Sequence, residues 1–384
     1  MTQVRNKVRR VPRAAWITLG VALVVVVLAA CAPDNQQDSL NPKGPYAEKI
    51  DTLFQPVFWI AVGVFVLVEG GILAISIKYR HRKNAAAKLP PQVHGNTRLE
   101  IGWTILPALV LAVIAVPTVT TIFELAREPA DPNTINVSVY GHQWWWEFDY
   151  TDPDIAFSDT VSLKTANDLV IPVDTPVYLT LQSEGGLISG DNPDYEVIHS
   201  FWVPELAGKQ DVIPSRENHV TIQADEPGVY KGQCLEFCGL SHANMRLQVI
   251  AMTQEDFDRW VADQRADAVD PATGSPEEQG QQLFDGGLGE QSGGQCIACH
   301  TIQGVNSEAG EAASNVAPNL THFASRDCFA GCMFSRDGDP EAYRADLEEW
   351  LRNPLEAKPG SKMPDYNLSE DEIDALTDYL LSLE

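Results

Sequence analysis

The chain begins with three long apolar runs, after which its hydrophobic pattern changes twice. The runs cover residues 14–30, 57–77 and 103–123. The last two are long enough for membrane-spanning helices of about 20 residues each. From residue 133 onward, short β-rich runs alternate with clusters of Gly, Pro, Asn and Asp, which is typical of an all-β sandwich or barrel. A helical pattern returns near the C-terminus.

This pattern predicts a multi-domain chain with a two-helix transmembrane hairpin, an all-β domain with Greek-key connections and an all-α domain. The length of 384 residues is sufficient for all three parts. A polar stretch at 263–280 is expected to link the last two domains. Strands are expected at 134–140, 177–182, 219–223, 228–231 and 245–251, and helices at 340–352 and 369–383.

The N-terminus has the features of an export segment over residues 1–30. Its first thirteen residues carry five basic side chains and no acidic one, and the apolar run that follows is short and ends in Leu-Ala-Ala-Cys. That ending resembles the bacterial lipobox, which would make Cys31 the lipidated first residue of a mature lipoprotein. The alternative is an uncleaved anchor in which Cys31 is buried and inert.

The loop between the two longer apolar runs is basic, with six Lys and Arg residues between 78 and 100. The positive-inside rule therefore places this loop in the cytoplasm and everything after residue 124 outside. Glu69 lies within the first of the two runs, where a lone carboxylate should face protein rather than lipid.

The overall charge excludes one class of function. The chain has 53 acidic against 27 basic residues, a formal net charge of −26, whereas nucleic-acid binding needs a basic surface. Its seven cysteines are too few for a disulfide scaffold. Four of them lie in two tight clusters, which indicates metal or cofactor chemistry.

Soft metal ligands are concentrated in residues 234–245, Cys-Leu-Glu-Phe-Cys-Gly-Leu-Ser-His-Ala-Asn-Met. Two thiolates, an imidazole and a thioether suit copper or zinc, and the C-x-E-x-C spacing differs from the C-x-x-C of zinc knuckles. A further ligand must come from elsewhere, and His199 in Val-Ile-His-Ser-Phe-Trp-Val-Pro is the best candidate. A disulfide between Cys234 and Cys238, or a structural zinc, would leave Met245 unexplained.

A second motif, Cys296-Ile-Ala-Cys299-His300, matches the C-x-x-C-H of covalent c-type haem attachment. The two thiols would form thioethers with the porphyrin, and the histidine would bind the iron; a redox dithiol is the alternative. The sixth iron ligand is expected to be Met or His, and the downstream candidates are His322, Met333 and Met363.

The first set of motifs resembles subunit II of the haem–copper cytochrome c oxidases. The resemblance covers roughly residues 45–255: the hairpin (45–125), the Gly-His-Gln-Trp-Trp-Trp segment, the His-Ser-Phe-Trp-Val-Pro segment and the full ligand loop. It implies a cupredoxin domain over 130–262 with a binuclear copper-A centre. Cys234 and Cys238 would bridge the coppers, with His199, His242, Met245 and the backbone carbonyl of Glu236 as the other ligands.

Three more roles follow from the same resemblance. The side chain of Glu236 would reach a Mg or Mn ion shared with subunit I. Trp144 would be the residue at which electrons arrive, with simple packing as the alternative. Glu100, just before the second helix, would lie at the mouth of a proton-uptake channel. His142, His219 and His322 are expected to be surface or hydrogen-bonded residues rather than ligands.

The C-terminal domain, predicted at 281–384, resembles class I c-type cytochromes. Met363 would be the distal iron ligand, and the carbonyl of Pro318 would orient His300. Cys328 and Cys332 depart from that pattern. A disulfide between them is the favoured interpretation in an exported domain, and a second metal site is the alternative.

The resemblance thus implies subunit II of a proton-pumping cytochrome c oxidase in a bacterial cell membrane, with its copper and haem domains on the outer face. Electrons from a c-type cytochrome or an upstream cytochrome bc complex would pass through the fused haem c and copper-A to subunit I, which reduces O2 to water. Subunit III is a further expected partner. The linker predicts a tethered encounter between the haem and copper domains.

Three alternatives are weighed against this interpretation. A quinol-oxidase subunit II would lack the copper ligands. A nitrous-oxide reductase needs a propeller domain that this length cannot contain. A non-catalytic carrier or copper-insertion protein would need neither the hairpin nor Glu100.

Overall fold

The computed structural model describes residues 36–80, 94–157, 161–183, 197–287, 296–304, 317–336 and 338–384, with a few isolated positions outside these ranges. Cys31 and nearly all of the predicted export segment lie outside the described residues. The described parts comprise a helical hairpin, a two-sheet β domain and a helical C-terminal domain.

Two antiparallel helices, α1 (Pro45–Lys78) and α2 (Thr97–Leu125), form the predicted hairpin. Both are long and apolar enough to cross a membrane, and their large apolar side chains point outward, as contact with lipid requires. The Asn96 side chain caps α2 by accepting hydrogen bonds from its first backbone N–H groups. An ion pair of 3.5 Å between Lys49 and Glu124 joins the start of α1 to the end of α2.

The segment before α1 is fixed to the β domain by backbone hydrogen bonds. The N–H of Lys43 donates to the carbonyl of Glu205 at 2.7 Å, and the N–H of Ala47 donates to that of Leu206 at 3.1 Å. The hairpin therefore presents the start of α1 and the end of α2 to the β domain, and the other helix ends, Lys78 and Thr97, lie away from it.

In the part of the β domain that the structure describes, ten strands form two main sheets and one short pair. The five-stranded sheet has the order β3-β2-β1-β5-β8, the three-stranded sheet has the order β4-β10-β9, and β6 pairs with β7. The strands are β1 (Ile135–His142), β2 (Trp145–Tyr150), β3 (Leu163–Ala166), β4 (Asp168–Pro172), β5 (Val177–Ser183), β6 (His199–Phe201), β7 (Gln210–Val212), β8 (Asn218–Ile222), β9 (Gly228–Gln233) and β10 (Arg246–Met252).

Apolar side chains at alternate positions along the strands fill the core between the sheets. In β5, Val177, Leu179 and Leu181 are fully buried, and the residues between them are half-buried, because successive side chains of a strand point to opposite faces. Helix α3 (Gln254–Gln264) closes the domain by inserting Phe257 and Val261 into the same core.

The described residues of the C-terminal domain form helices and one ladder of two residues per strand. Its elements are α4 (Pro276–Gln282), β11 (Cys328–Phe329), β12 (Phe334–Ser335), α5 (Pro340–Arg352), α6 (Pro354–Ala357) and α7 (Glu370–Ser382). Helices α4 and α7 cross closely at Gly280, where a Cβ would overlap the backbone of Ala375. A capping box on Ser369 begins α7.

The connection between the β domain and the C-terminal domain is shorter than the 263–280 range predicted from the sequence. Helix α4 begins inside that range because Ser275 caps it and Pro276 occupies its first turn. The connection also packs against the C-terminal domain, since the N–H of Ala268 donates to the carbonyl of Gln303 at 3.0 Å.

Candidate functional site

The ligand loop lies between β9 and β10, at one end of the three-stranded sheet. The N–H of Cys234 donates to the carbonyl of Met245 at 2.9 Å, which closes the loop at its base. His199 is the first residue of β6, on a neighbouring strand pair. The thiols of Cys234 and Cys238, the thioether of Met245 and the ring of His199 are all buried.

The candidate ligands meet at one point, although they come from two segments of the chain. Cys234 Sγ and Cys238 Sγ are 3.8 Å apart, Cys234 Sγ lies 3.8 Å from His199 Nδ1, and Cys238 Sγ lies 3.6 Å from His242 Nδ1. Two ligands that each bind one metal at about 2.0–2.3 Å lie roughly 3.5 Å apart, so these gaps suit shared metal ions.

Two weaker donors complete the cluster. Met245 Sδ is 3.8 Å from Cys238 Sγ, and the carbonyl oxygen of Glu236 is 3.2 Å from Cys234 Sγ. Each cysteine therefore faces one histidine and one weaker donor. Thiolate, imidazole and thioether donors in one buried pocket fit copper.

The two cysteines are free thiols in the structure, so a disulfide between them is not observed. The hydrogen bond from the Cys238 thiol lowers the pKa of Cys234, although burial acts in the opposite direction. The same contact raises the pKa of Cys238. The pocket thus favours a thiolate at Cys234, the form that binds metals.

The tryptophan run is divided between the core and a cleft. Trp146 is fully buried and packs its ring edge against His199, with the centroids 5.9 Å apart. Trp144 and Trp145 line the cleft that contains the predicted haem site. Trp145 also stacks on His142 at 4.2 Å. His142 is therefore a packed residue outside the ligand cluster.

Trp144 is hydrogen-bonded directly to the ligand loop. Its indole Nε1–H donates to the carbonyl of Cys238 at 3.1 Å, and the side-chain amide of Gln143 donates to the same carbonyl at 2.6 Å. Sequence reasoning did not identify Gln143 as a functional residue. Its position beside the tryptophan run was the only available signal.

The predicted haem residues line a single cleft. Cys296, Cys299, His300 and Met363 all contribute to its walls. His300 Nδ1 lies 2.8 Å from the carbonyl of Pro318, which leads us to assign Nδ1 as the donor and Nε2 as the nitrogen that would bind iron. These residues fit a covalently attached haem.

Of the three candidates for the sixth ligand, the cleft lining includes Met363 but neither Met333 nor His322. His322 Nδ1 instead contacts the carbonyl of Glu384 at 2.8 Å. Met363 is thus the candidate that shares the cleft with His300.

Burial controls the protonation of the attachment motif. It raises the pKa of the Cys296 thiol to about 11 and also raises that of Cys299. Burial lowers the pKa of His300, which favours the neutral imidazole. A neutral imidazole is the form that binds iron.

Four other predicted residues have different surroundings. Cys328 and Cys332 are joined by a disulfide, so their sulfurs are not available as thiolates for a metal site with the neighbouring Asp168. Glu100 is exposed in the first turn of α2, where it accepts a hydrogen bond from the N–H of Asn96 at 3.3 Å. The side chain of Glu236 is half-buried on the ligand loop.

The structure also reveals a lysine that the sequence did not indicate. Lys358 is only 4% exposed, and it follows α6 in the C-terminal domain. Its ammonium donates to the carbonyl of Trp144 at 2.7 Å and to that of Ala330 at 3.0 Å. Burial lowers its pKa to about 7. A lone lysine in a polar segment gives no sequence signal for such a position.

Comparison with known families gives three matches along the chain. Residues 34–121 match the family described as cytochrome C oxidase subunit II, transmembrane domain, and residues 135–252 match its periplasmic domain. Residues 277–384 match the cytochrome c family.

Several curated proteins are similar over most of their length. Cytochrome c oxidase subunit 2 of Alkalihalophilus pseudofirmus is 37% identical over 95% of this chain and 96% of its own length. The protein of the same name from Bacillus subtilis is 31% identical over 96% of this chain and 97% of its own length. Quinol oxidase subunit 2 of Bacillus spizizenii is 32% identical, over 64% of this chain and 71% of its own length.

Proposed function

The chain belongs to the cytochrome c oxidase subunit 2 family, whose members are components of membrane-bound haem–copper oxidases. We therefore propose that it is the subunit through which electrons enter its oxidase. They would be received at a haem c in the C-terminal domain and delivered through a copper-A centre to subunit I. The donor would be a c-type cytochrome or an upstream cytochrome bc complex. Subunit I would reduce O2 to water and pump protons.

The observation that carries this proposal is the position of Trp144. Its ring lines the cleft that holds Cys296, Cys299 and His300, and its indole N–H donates to the carbonyl of Cys238. One side chain thus joins the haem cleft to the ligand loop. A buried aromatic ring in this position provides a fixed bridge between two redox sites.

The residues of this chain have distinct tasks in the proposal. Cys234, Cys238, His199, His242 and Met245 would hold copper, with the carbonyl of Glu236. Cys296, Cys299, His300 and Met363 would hold the haem. The two groups supply one-electron chemistry when bound. The protein positions their ligands, and it excludes water by burying both cysteines of the copper loop.

The same geometry favours a cytochrome c oxidase over a quinol oxidase. We expect a quinol-oxidase subunit to lack the copper ligands, and here every candidate ligand lies in one cluster. The match to the quinol oxidase relative covers 64% of this chain, whereas the match to the first cytochrome c oxidase relative covers 95%.

Five finer assignments belong to the proposal. Glu100 would mark a proton-uptake channel, and Glu236 would share a Mg or Mn ion with subunit I, which would supply the other ligands. The basic loop would face the cytoplasm and the two exported domains the outer side. Cys31 would carry a lipid anchor. Subunit III would be a further partner.

The test is spectroscopy on the purified oxidase that contains the full chain. The oxidase is produced in a host that attaches haem c and is grown with copper. We expect a c-type α-band together with an EPR pattern from two equivalent coppers. Cys238→Ser should remove the copper pattern and leave the α-band. A normal α-band without any mixed-valence copper signal, despite full copper loading, would contradict the proposed function.

A further inference from the structure

The short loop closed by the disulfide lies against the β domain. It connects β11 to β12, and its tip is formed by Ala330 and Gly331. A Cβ at Gly331 would overlap the backbone oxygen of Asn244, which follows His242 in the ligand loop. Cys328 Sγ lies 4.0 Å from a carboxylate oxygen of Asp168 on β4. The start of the loop and its tip thus both contact the β domain.

Lys358 joins this loop to Trp144. Its ammonium donates to the carbonyl of Ala330 at the loop tip and to the carbonyl of Trp144. The ammonium group contacts both carbonyl oxygens, and the side chain is buried between the two domains. An ammonium in this position needs both acceptors, because an unpaired buried charge is costly.

Two neighbouring contacts extend the same surface. The hydroxyl of Ser241 donates to the carbonyl of Pro359 at 2.5 Å. A Cβ at Gly360 would lie 2.7 Å from the ring of Trp144. The backbone after α6 therefore lies directly against the tryptophan and the ligand loop, and Trp144 is only 8% exposed.

We propose that the disulfide-closed loop 328–332 and Lys358 form an intramolecular docking surface that seats the C-terminal domain on the β domain, with the haem cleft over Trp144. These contacts hold the two domains together, whereas the linker sequence predicted a tethered domain that meets the β domain only in transient encounters. The disulfide shapes the loop so that Gly331 can approach Asn244. The docking itself is independent of the proposed function; only its consequence for electron transfer rests on that function.

Two glycines provide a matched test on the purified oxidase with its full chain. Gly331 and Gly338 have φ values of +76° and +81°, so alanine strains the backbone at both sites. Only Gly331→Ala also meets the β domain, because no atom of the described residues lies within 4 Å of a Cβ at Gly338. Overpacking at the loop tip should shift the docking equilibrium roughly tenfold or more, whereas Gly338→Ala should not.

The first readout is hydrogen–deuterium exchange, which needs no electron transfer. Gly331→Ala should accelerate exchange roughly tenfold in β4, in 242–244 and in 328–335, with α5 and α7 as protected as in Gly338→Ala. Equal exchange in the two variants would overturn the docking surface. The copper EPR signal should be unchanged in both.

The second readout is the rate of electron transfer from haem c to copper after rapid reduction of the haem. A slower rate in Gly331→Ala, together with faster exchange at the interface, supports the docking surface and its role in electron transfer. Faster exchange with an unchanged rate supports docking but contradicts the path through Trp144. A slower rate with unchanged exchange overturns the docking surface.

A lysine variant covers the case in which Gly331→Ala unfolds the C-terminal domain. Lys358→Met keeps most of the apolar stem and removes the interdomain hydrogen bond to Trp144 as well as the bond to Ala330 within the C-terminal domain. It should increase exchange in the same three segments. Lys209→Met is the control, because Lys209 is half-exposed and pairs only locally with Asp211 at 3.5 Å. Equal exchange in these two lysine variants would also overturn the proposal.

Discussion

Replacing Trp144 by phenylalanine tests the bridge between the haem cleft and the ligand loop. The change removes the indole N–H that donates to the carbonyl of Cys238 at 3.1 Å. That carbonyl keeps a second donor, the amide of Gln143 at 2.6 Å, so it is not left unpaired. The expected loss in the free energy of unfolding is therefore about 0.5–1.5 kcal/mol, the net value of one hydrogen bond.

The functional effect should be larger than the effect on stability. A smaller ring that has lost its contact with the ligand loop leaves the two redox sites without their fixed bridge. We expect electron transfer from haem c to copper to slow on the order of tenfold or more, as misplacement of reacting groups commonly does. The copper EPR pattern and the haem α-band should be preserved, because neither ligand set is changed.

Rapid reduction of the haem, followed optically and by EPR in the purified oxidase, measures this rate. The matched control is Trp145→Phe. Trp145 lines the same cleft and stacks on His142, but in the described residues no hydrogen bond or ring contact joins its side chain to the ligand loop. If Trp144→Phe transfers electrons as fast as Trp145→Phe, the bridging argument is refuted.

Two further predictions concern the haem ligand and the interface between the domains. Met363→Ala should abolish the sulfur-to-iron charge-transfer band while the haem stays attached, and Met333→Ala should keep the band; a band that survives in the first variant rules Met363 out. Burial raises the pKa of Asp168 to about 7, although Arg326 opposes the shift. Between about pH 4 and pH 7 the folded chain therefore holds a proton on Asp168 that the unfolded chain has lost. The contribution of Asp168 to stability should thus be greatest below about pH 4 and fall by up to about 1.4 kcal/mol per pH unit towards pH 7. Thermal unfolding of the full chain in detergent should show this slope, and Asp168→Asn should flatten it; an identical slope in both would contradict the assignment.

Sequence patterns predicted the elements whose residues repeat over many positions. The two apolar runs correspond to α1 and α2, and the predicted helix at 340–352 has the bounds of α5. The alternating run at 177–182 is part of β5. Short strands such as β6 and β7 were not predicted, because three residues do not show a period.

The sequence alone also determined the chemistry of the candidate sites. The fixed spacing within 234–245 defines which thiol, imidazole and thioether donors can meet on one loop. The motif at 296–300 likewise defines the residues for haem attachment. This information is local, since the ligands lie within a few residues of each other. His199 was an exception: it was the best candidate for a ligand from elsewhere in the chain, and the family resemblance then gave it a place in the copper centre.

Only the tertiary structure decided how the two sites are placed relative to each other. The contacts that do so join residues far apart in sequence: Lys358 with Trp144, and Gly331 with Asn244. No periodicity or motif connects such positions, and a polar linker predicts an independent domain. The arrangement depends on the burial of a lysine and on the close approach of a glycine, and both follow from the shape of two folded surfaces rather than from either segment of sequence.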